Sequence, residues 1–175
     1  HVGDRLHEGD TLRQLSHTKW LLCQGAAAIS TAEAALEILE PLGPTPELAS
    51  AYANLARIRM LNAHYETAIV LASKAQEIAA QFGLAAVRSD ALNTQACANA
   101  SIGREWVAPL RQALDLAVAE RCEEQAGRAY ANLHSLCCSA MRFVEAEEWF
   151  AEGVAYCDAH DISTFASCLR AQHSD

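Results

Sequence analysis

The pentapeptide AYANL occupies residues 51–55 and again residues 129–133. The copies lie 78 residues apart (129 − 51), and the midpoint carries Asn93, 39 residues after Asn54 and 39 before Asn132. One residue type recurring at a fixed step of this size marks a repeat array. Each unit of such an array is too small to bury its own apolar face, so the chain has to stack its units into a continuous core.

The unit can be read between Glu47 and Phe82. Leu48, Ala51, Tyr52, Leu55, Ala56 and Ile58 fall at helical spacing. After a break at Asn62-Ala63-His64, the residues Ala68, Ile69, Ala72, Ala75, Ile78 and Ala79 share one face of a second helix, which Phe82-Gly83 ends. The spacing predicts an antiparallel helical hairpin over 47–82. It predicts others over 11–42 (turning near Gly25 and ended by Gly43-Pro44-Thr45-Pro46), over 85–121 (turning near Gly103-Arg104) and over 123–158 (turning at Ala140-Met141-Arg142). Pro109 falls in the first turn of a second helix, where its missing N–H costs little. A further single helix is predicted over 162–172. The expected organisation is one all-α repeat domain over 1–175, four hairpins and a final helix. The start at His1-Val2 and the end in mid-pattern read as a piece of a longer protein.

Composition agrees with helices. The chain is 51% hydrophobic but only 6% aromatic, with 8 Gly and 4 Pro, so helix formers dominate over strand formers. A net charge of −9 without any Lys/Arg cluster repels phosphate backbones, which argues against direct nucleic-acid contact. No apolar run reaches the roughly 18 residues of a membrane span. Seven cysteines, an odd number, with no signal-peptide pattern, read as reduced cytosolic thiols acting mainly as small buried hydrophobes.

The hairpin pattern resembles the tetratricopeptide repeat (TPR). Tyr52 matches the bulky fourth position of that motif, Leu55 and Ala56 the seventh and eighth, Ala68 the twentieth and Ala75 the twenty-seventh. Tyr130, Leu133 and Ala146 repeat this pattern, as do Leu12, Leu15, Ala28 and Ala35. The repeat around Leu92 fits least well, and a period near 39 exceeds the 34 of the standard motif. The resemblance implies a right-handed α-solenoid. The run EEWFAEGVAYCDAHDISTFASCLRAQHSD is similar to the C-terminal arrays of large LuxR-type ATP-binding bacterial transcriptional regulators. There the array senses effectors and couples them to assembly. This sequence has no G-x-x-x-x-G-K-[ST] loop and no basic recognition helix, so any ATP or DNA site of such a parent lies elsewhere.

The sixth position of a TPR lies on the first helix and faces the concave groove. Asn54, Asn93 and Asn132 take it here, with Gln14 in the first hairpin. Side-chain amides offer donors and an acceptor, enough to hold an extended peptide or a carboxylate, and equally enough to bond a neighbouring hairpin and fix the stacking. Arg57 and Arg128 are the cations placed to join them in a carboxylate clamp. Ser50, Ala53, Ser89, Ala96, Asn99, Ala131, Ser135 and Cys138 are expected to complete the groove. His134, Cys137 and Cys138 share a helix at metal-ligand spacing, as do Cys157 and His160, but no paired CxxC accompanies them and no metal site is expected. Trp20, Trp106 and Trp149 read as packing between hairpins. No nucleophile–base–orienter set is visible.

Two functions follow as expectations. One is a non-catalytic, cofactor-free module of a cytoplasmic bacterial transcriptional regulator, binding a protein or peptide, or a small-molecule effector, and open to homo-oligomerisation. The other is a passive scaffold or dimerisation spacer in a multidomain signalling ATPase or cyclase. Neither contacts nucleic acid or membrane through this segment.

Overall fold

The computed structural model describes residues 1–173. Its helices are α1 (Val2–Leu21), α2 (Gly25–Leu39), α3 (Pro46–Leu61), α4 (Tyr65–Gln81), α5 (Ala85–Ser101), α6 (Val107–Ala119), α7 (Glu123–Ser139), α8 (Phe143–Ala159) and α9 (Ser163–His173), with a short 3-10 turn at Glu40–Leu42 after α2. No strand occurs among the described residues. The first helix begins at Val2, well before the Thr11 at which the apolar pattern starts. Its early residues lack an apolar stripe but pack through Leu6 and Gly9, where the α1 backbone lies against Leu39.

One turn type joins most helices. Cys23, Ala63, Gly83, Gly103, Arg121, Met141 and Asp161 all take positive φ. The following N–H then reaches back five residues to a carbonyl, as in Gln24 to Lys19, His64 to Arg59, Leu84 to Ala79, Cys122 to Ala117, Arg142 to Cys137 and Ile162 to Cys157. This is the Schellman closure, which satisfies the last carbonyls of each helix. The bonded residue also starts the next helix: Gln24, His64, Leu84, Cys122 and Arg142 each occupy an N-cap without any side-chain cap bond. The turns are therefore too short to let neighbouring helices drift apart.

The first helices of successive hairpins pack side by side, α1 on α3, α3 on α5, α5 on α7 and α7 on α9, whereas neighbouring second helices scarcely approach one another. The layer of first helices is thus the compressed one and forms the inner side of the solenoid. Small residues permit the close approach: Ala56 and Ala68, twelve residues apart, are both fully buried. At the same spacing the outer hairpins use a polar bond instead. Ser16 Oγ donates to the Ala28 carbonyl at 2.8 Å, and His134 Nδ1 bonds the Ala146 carbonyl at 3.0 Å.

The third hairpin departs from the others. Its second helix α6 has 13 residues where α4 has 17, and residues 102–106 form a longer connection. There Asn99 Nδ2 donates to the Glu105 carbonyl, and the Glu105 carboxylate accepts from Ala108 N–H at the start of α6. This explains the weak motif match around Leu92. Trp20, Trp106 and Trp149 pack against the cores, as expected. The cysteines differ from expectation: Cys137 and Cys157 are buried, Cys23 is exposed and the other four are partly exposed free thiols.

Candidate functional site

The inner layer carries a groove of about 250 Å³. Arg13 and His17 line it from α1, Ser50, Ala53, Asn54 and Arg57 from α3, Val87 and Asp90 from α5, and Glu124, Gln125 and Arg128 from α7. All belong to first helices, because residues three and four apart on parallel neighbours project to the same side.

Of the residues singled out from sequence, Asn54, Arg57 and Arg128 meet in this groove; Gln14, Asn93 and Asn132 do not line it. Gln14 is exposed and donates to Asp10 at 2.7 Å within its own helix. Its neighbour Ser16 takes the ladder role instead, accepting from Asn54 Nδ2 at 3.1 Å. Asn132 Nδ2 donates to Asn93 Oδ1 at 2.6 Å. Asn93 is 1% exposed, and its own Nδ2 is buried without a partner. All three amides therefore take part in bonds across hairpins, at separations of 38 and 39 residues, about one repeat each.

The expected lining also shifts. Ser89, Ala96 and Ala131 turn into the core, and Ser89 Oγ donates to the Ala113 carbonyl at 2.9 Å. What sequence reasoning missed is the charged wall. Arg128 is 7% exposed; its Nη1 donates to Asp90 at 2.8 Å and its Nη2 to Thr94 Oγ1 at 3.2 Å. Gln125 Nε2 also donates to Asp90, at 3.3 Å. The signal was present, since Asp90 and Arg128 are an acid and a base one repeat apart. Arg13 is paired with Asp10 through Nε at 2.7 Å.

Arg57 differs from both of these arginines. It is partly buried and makes no hydrogen bond or ion pair with any described residue. Burial, and then the like charge of Arg128, hold its guanidinium below its ordinary value, while Asp90 and Glu124 pull the other way. The groove thus has a paired floor and one partly buried cation with no hydrogen-bond or ion-pair partner among the described residues.

Among the described residues, no three His, Cys, Asp or Glu side chains are grouped to hold a metal ion. Cys138 Sγ lies 4.0 and 3.9 Å from the two ring nitrogens of His134. Near-equal distances put the sulfur beside the ring, not in line with the Nε2 lone pair. No described helix is long and apolar enough to cross a membrane.

No family model matches this chain, and no curated protein sequence does. Solved structures do. A Rap protein complexed with Competence and Sporulation Factor superposes with a TM-score of 0.84 at 18% identity, over 94% of this chain and 46% of that one. Aspartyl phosphate phosphatase F from Bacillus subtilis superposes with a TM-score of 0.81 at 16% identity, over 97% of this chain and 45% of that one. The chain shares their fold. It is an all-α helical repeat solenoid spanning a little under half the length of each of these structures.

Proposed function

We propose that this chain is a non-catalytic, protein-binding repeat module whose inner groove receives an extended peptide segment of a partner. The observation that carries this is the groove itself. Four successive first helices contribute to it, and Arg57 stands in it with no hydrogen-bond or ion-pair partner among the described residues, while Arg13 and Arg128 are paired. A structural arginine acquires a partner in the fold; one left half-desolvated and unpaired is placed for something that arrives later. The Rap protein crystallised with Competence and Sporulation Factor gives a precedent for binding on this fold. The setting we favour is a cytoplasmic bacterial transcriptional regulator of the LuxR-like kind, in which occupancy of the groove shifts the curvature of the solenoid and so its assembly.

A second reading is favoured by a different observation. The bonds Asn54–Ser16 and Asn132–Asn93 spend amide groups on stacking, as a passive scaffold requires. Selection of the 1–175 chain against a displayed pool of random heptapeptides separates the two, with binders mapped by amide chemical shifts. The module reading expects binders that shift α3, α5 and α7. The scaffold reading gains if no peptide is selected, or if binders map to the outer helices α4, α6 and α8.

A further inference from the structure

We infer that the outer edge of the solenoid, where the first hairpin meets the second, carries a second binding site, for a small alkylammonium ion. The site is independent of the inner groove. Neighbouring second helices scarcely approach one another, and this splay leaves a cleft of about 360 Å³ between the connection that closes the first hairpin and the helices α3 and α4. Its size is that of a small-molecule pocket. The cleft already seats an ammonium. Lys74 Nζ stands 5.0 Å above the centre of the Tyr52 ring and makes no hydrogen bond or ion pair with any described residue. The ring is held in place: Tyr52 is 5% exposed, and its OH donates to Glu40 Oε1 at 2.6 Å. Burial and the Glu40 carboxylate hold the phenol above its ordinary value, so it stays a donor.

Three features make the resident cation exchangeable and the newcomer a cation. Lys74 is exposed, on a flexible stem, and only the ring contact holds its head, a weak tie at an exposed site. The lining is negative, since Glu40 and Glu77 face one lysine, and Glu77 has no hydrogen-bond or ion-pair partner among the described residues. Pro44, Leu48 and Ile78 line the same cleft, so an alkyl chain carried by the ammonium finds an apolar wall. The incoming ammonium takes the place over the Tyr52 ring, and the Lys74 head returns to solvent. Such a ligand touches both hairpins at once, Glu40 from the first and Tyr52 and Glu77 from the second, and so fixes the angle at which they meet.

The probe is n-butylammonium, which reproduces a lysine head and stem. It replaces sodium at constant ionic strength while the methyl signals of Leu48 and Ile78 and the Lys74 Hε signals of the 1–175 chain are followed by NMR. In the free chain the Lys74 Hε signals are expected upfield, shielded by the Tyr52 ring. Saturating n-butylammonium should return them to the position of a solvated lysine, with the methyl signals shifting along the same binding curve. Lys74→Gln removes the tethered competitor and should tighten binding about tenfold. Arg5→Gln removes the same charge from an exposed residue outside the cleft and should change it less than about twofold. Glu77→Gln should weaken it about fivefold. Lys74 and Glu77 are exposed, so both variants keep the fold, which their amide spectra check. Tightening no greater in Lys74→Gln than in Arg5→Gln overturns the inference, because general charge and not a vacated seat would account for it. Equal binding of n-butanol, the neutral counterpart, overturns the ammonium. The absence of a saturable shift at Leu48 and Ile78 in Lys74→Gln, where the seat is free, removes the site.

Discussion

The two ends of the solenoid bury different materials. From α2 to α5 one continuous core is built mainly of aliphatic and small residues, with Tyr52 its one buried ring, running from Ala28 through Leu39, Leu55 and Ile58 to Ala91. Beyond Ala96 the buried set divides into two smaller clusters packed against aromatic rings. Tyr130 lies 6.2 Å from Trp149 and 5.5 Å from Tyr156, and Phe150 stacks on His173 at 3.9 Å. Rings bury more area per side chain but need a flat neighbour, and here glycines supply it. A Cβ on Gly153 would stand 2.8 Å from Tyr130 Cβ and 2.9 Å from Leu169 Cδ1, and one on Gly127 3.1 Å from Phe165. The same repeat period is thus served by interdigitated methyl groups in one half and by rings over bare backbone in the other. The first solution makes a shared core; the second makes cores each owned by one or two hairpins.

Core truncation tests that contrast most sharply. Leu39 and Leu169 are both fully buried. Leu39→Ala opens a cavity in the shared core and is expected to cost about 2–5 kcal/mol in urea unfolding. Leu169 belongs to α9 and to a four-residue cluster that seats this helix on α7 and α8; Leu169→Ala should cost about 2 kcal/mol, at the low end of the same range. Hydrogen exchange gives the decisive reading. Leu169→Ala should unprotect α9 alone, whereas Leu39→Ala should lower protection in α1 through α4 together. Equal, global loss of protection in both variants would show that the divided cores behave as one.

Next in size is the glycine contact. Gly153→Ala gains about 1 kcal/mol of helix propensity but forces a methyl group into Tyr130 near its backbone, where overpacking costs about 1–3 kcal/mol. A net loss of stability is expected. Gly3→Ala, with nothing within 4 Å, should gain the propensity alone. If Gly153→Ala is also stabilising, the rings of the second half are loosely seated and the contrast with the first half weakens.

The sequence carried the fold further than the site, for a physical reason. Hairpins and turns are set by local patterns: Tyr52, Leu55 and Ala56 fall on one stripe of α3 and Ala68, Ala72 and Ala75 on one stripe of α4, and Asn62-Ala63-His64 and Ala140-Met141-Arg142 turn where they were expected to turn. The groove depends on how far one hairpin rotates on the next, and no stripe records that rotation. Ser89 and Ala96 therefore look like groove residues in register but face the core. Gln14 likewise holds the ladder position by count, yet α1 presents Ser16 to Asn54. The unpaired state of Arg57 was not legible at all, since a missing partner is a property of three-dimensional surroundings.

The ladder amides sharpen the comparison at the level of single hydrogen bonds. In the first half, Asn54→Ala leaves Ser16 still bonded to the Ala28 carbonyl, so a loss of about 0.5 kcal/mol is expected. In the second half, Asn132→Ala leaves the buried Asn93 Oδ1 only the weak thiol donor of Cys97, and its Nδ2 already lacks a partner. That loss should reach about 1–3 kcal/mol. The double variant Asn93→Leu with Asn132→Leu should recover much of it, because two amides replaced together leave no orphan. Thermal melts of the four proteins decide the order. An Asn54→Ala cost equal to that of Asn132→Ala would mean that Ser16 depends on Asn54 in a way its geometry does not show.

The smallest effect concerns what the halves share. Ala63 and Met141 hold φ of 61° and 57° at equivalent turns, a conformation that favours glycine. Relief of that conformation, about 1–2 kcal/mol, is partly offset by the extra entropy glycine gives the unfolded chain, about 0.5–1 kcal/mol. Ala63→Gly and Met141→Gly should each stabilise by about 0.5 kcal/mol. Met141 is 79% exposed and loses no packing when truncated, so any gap between the variants measures the turn's dependence on the core beneath it. Equal gains would make the turn a self-contained unit that both halves use unchanged. A larger gain at Met141 would show that the divided cores of the second half leave more of the chain's stability to its turns.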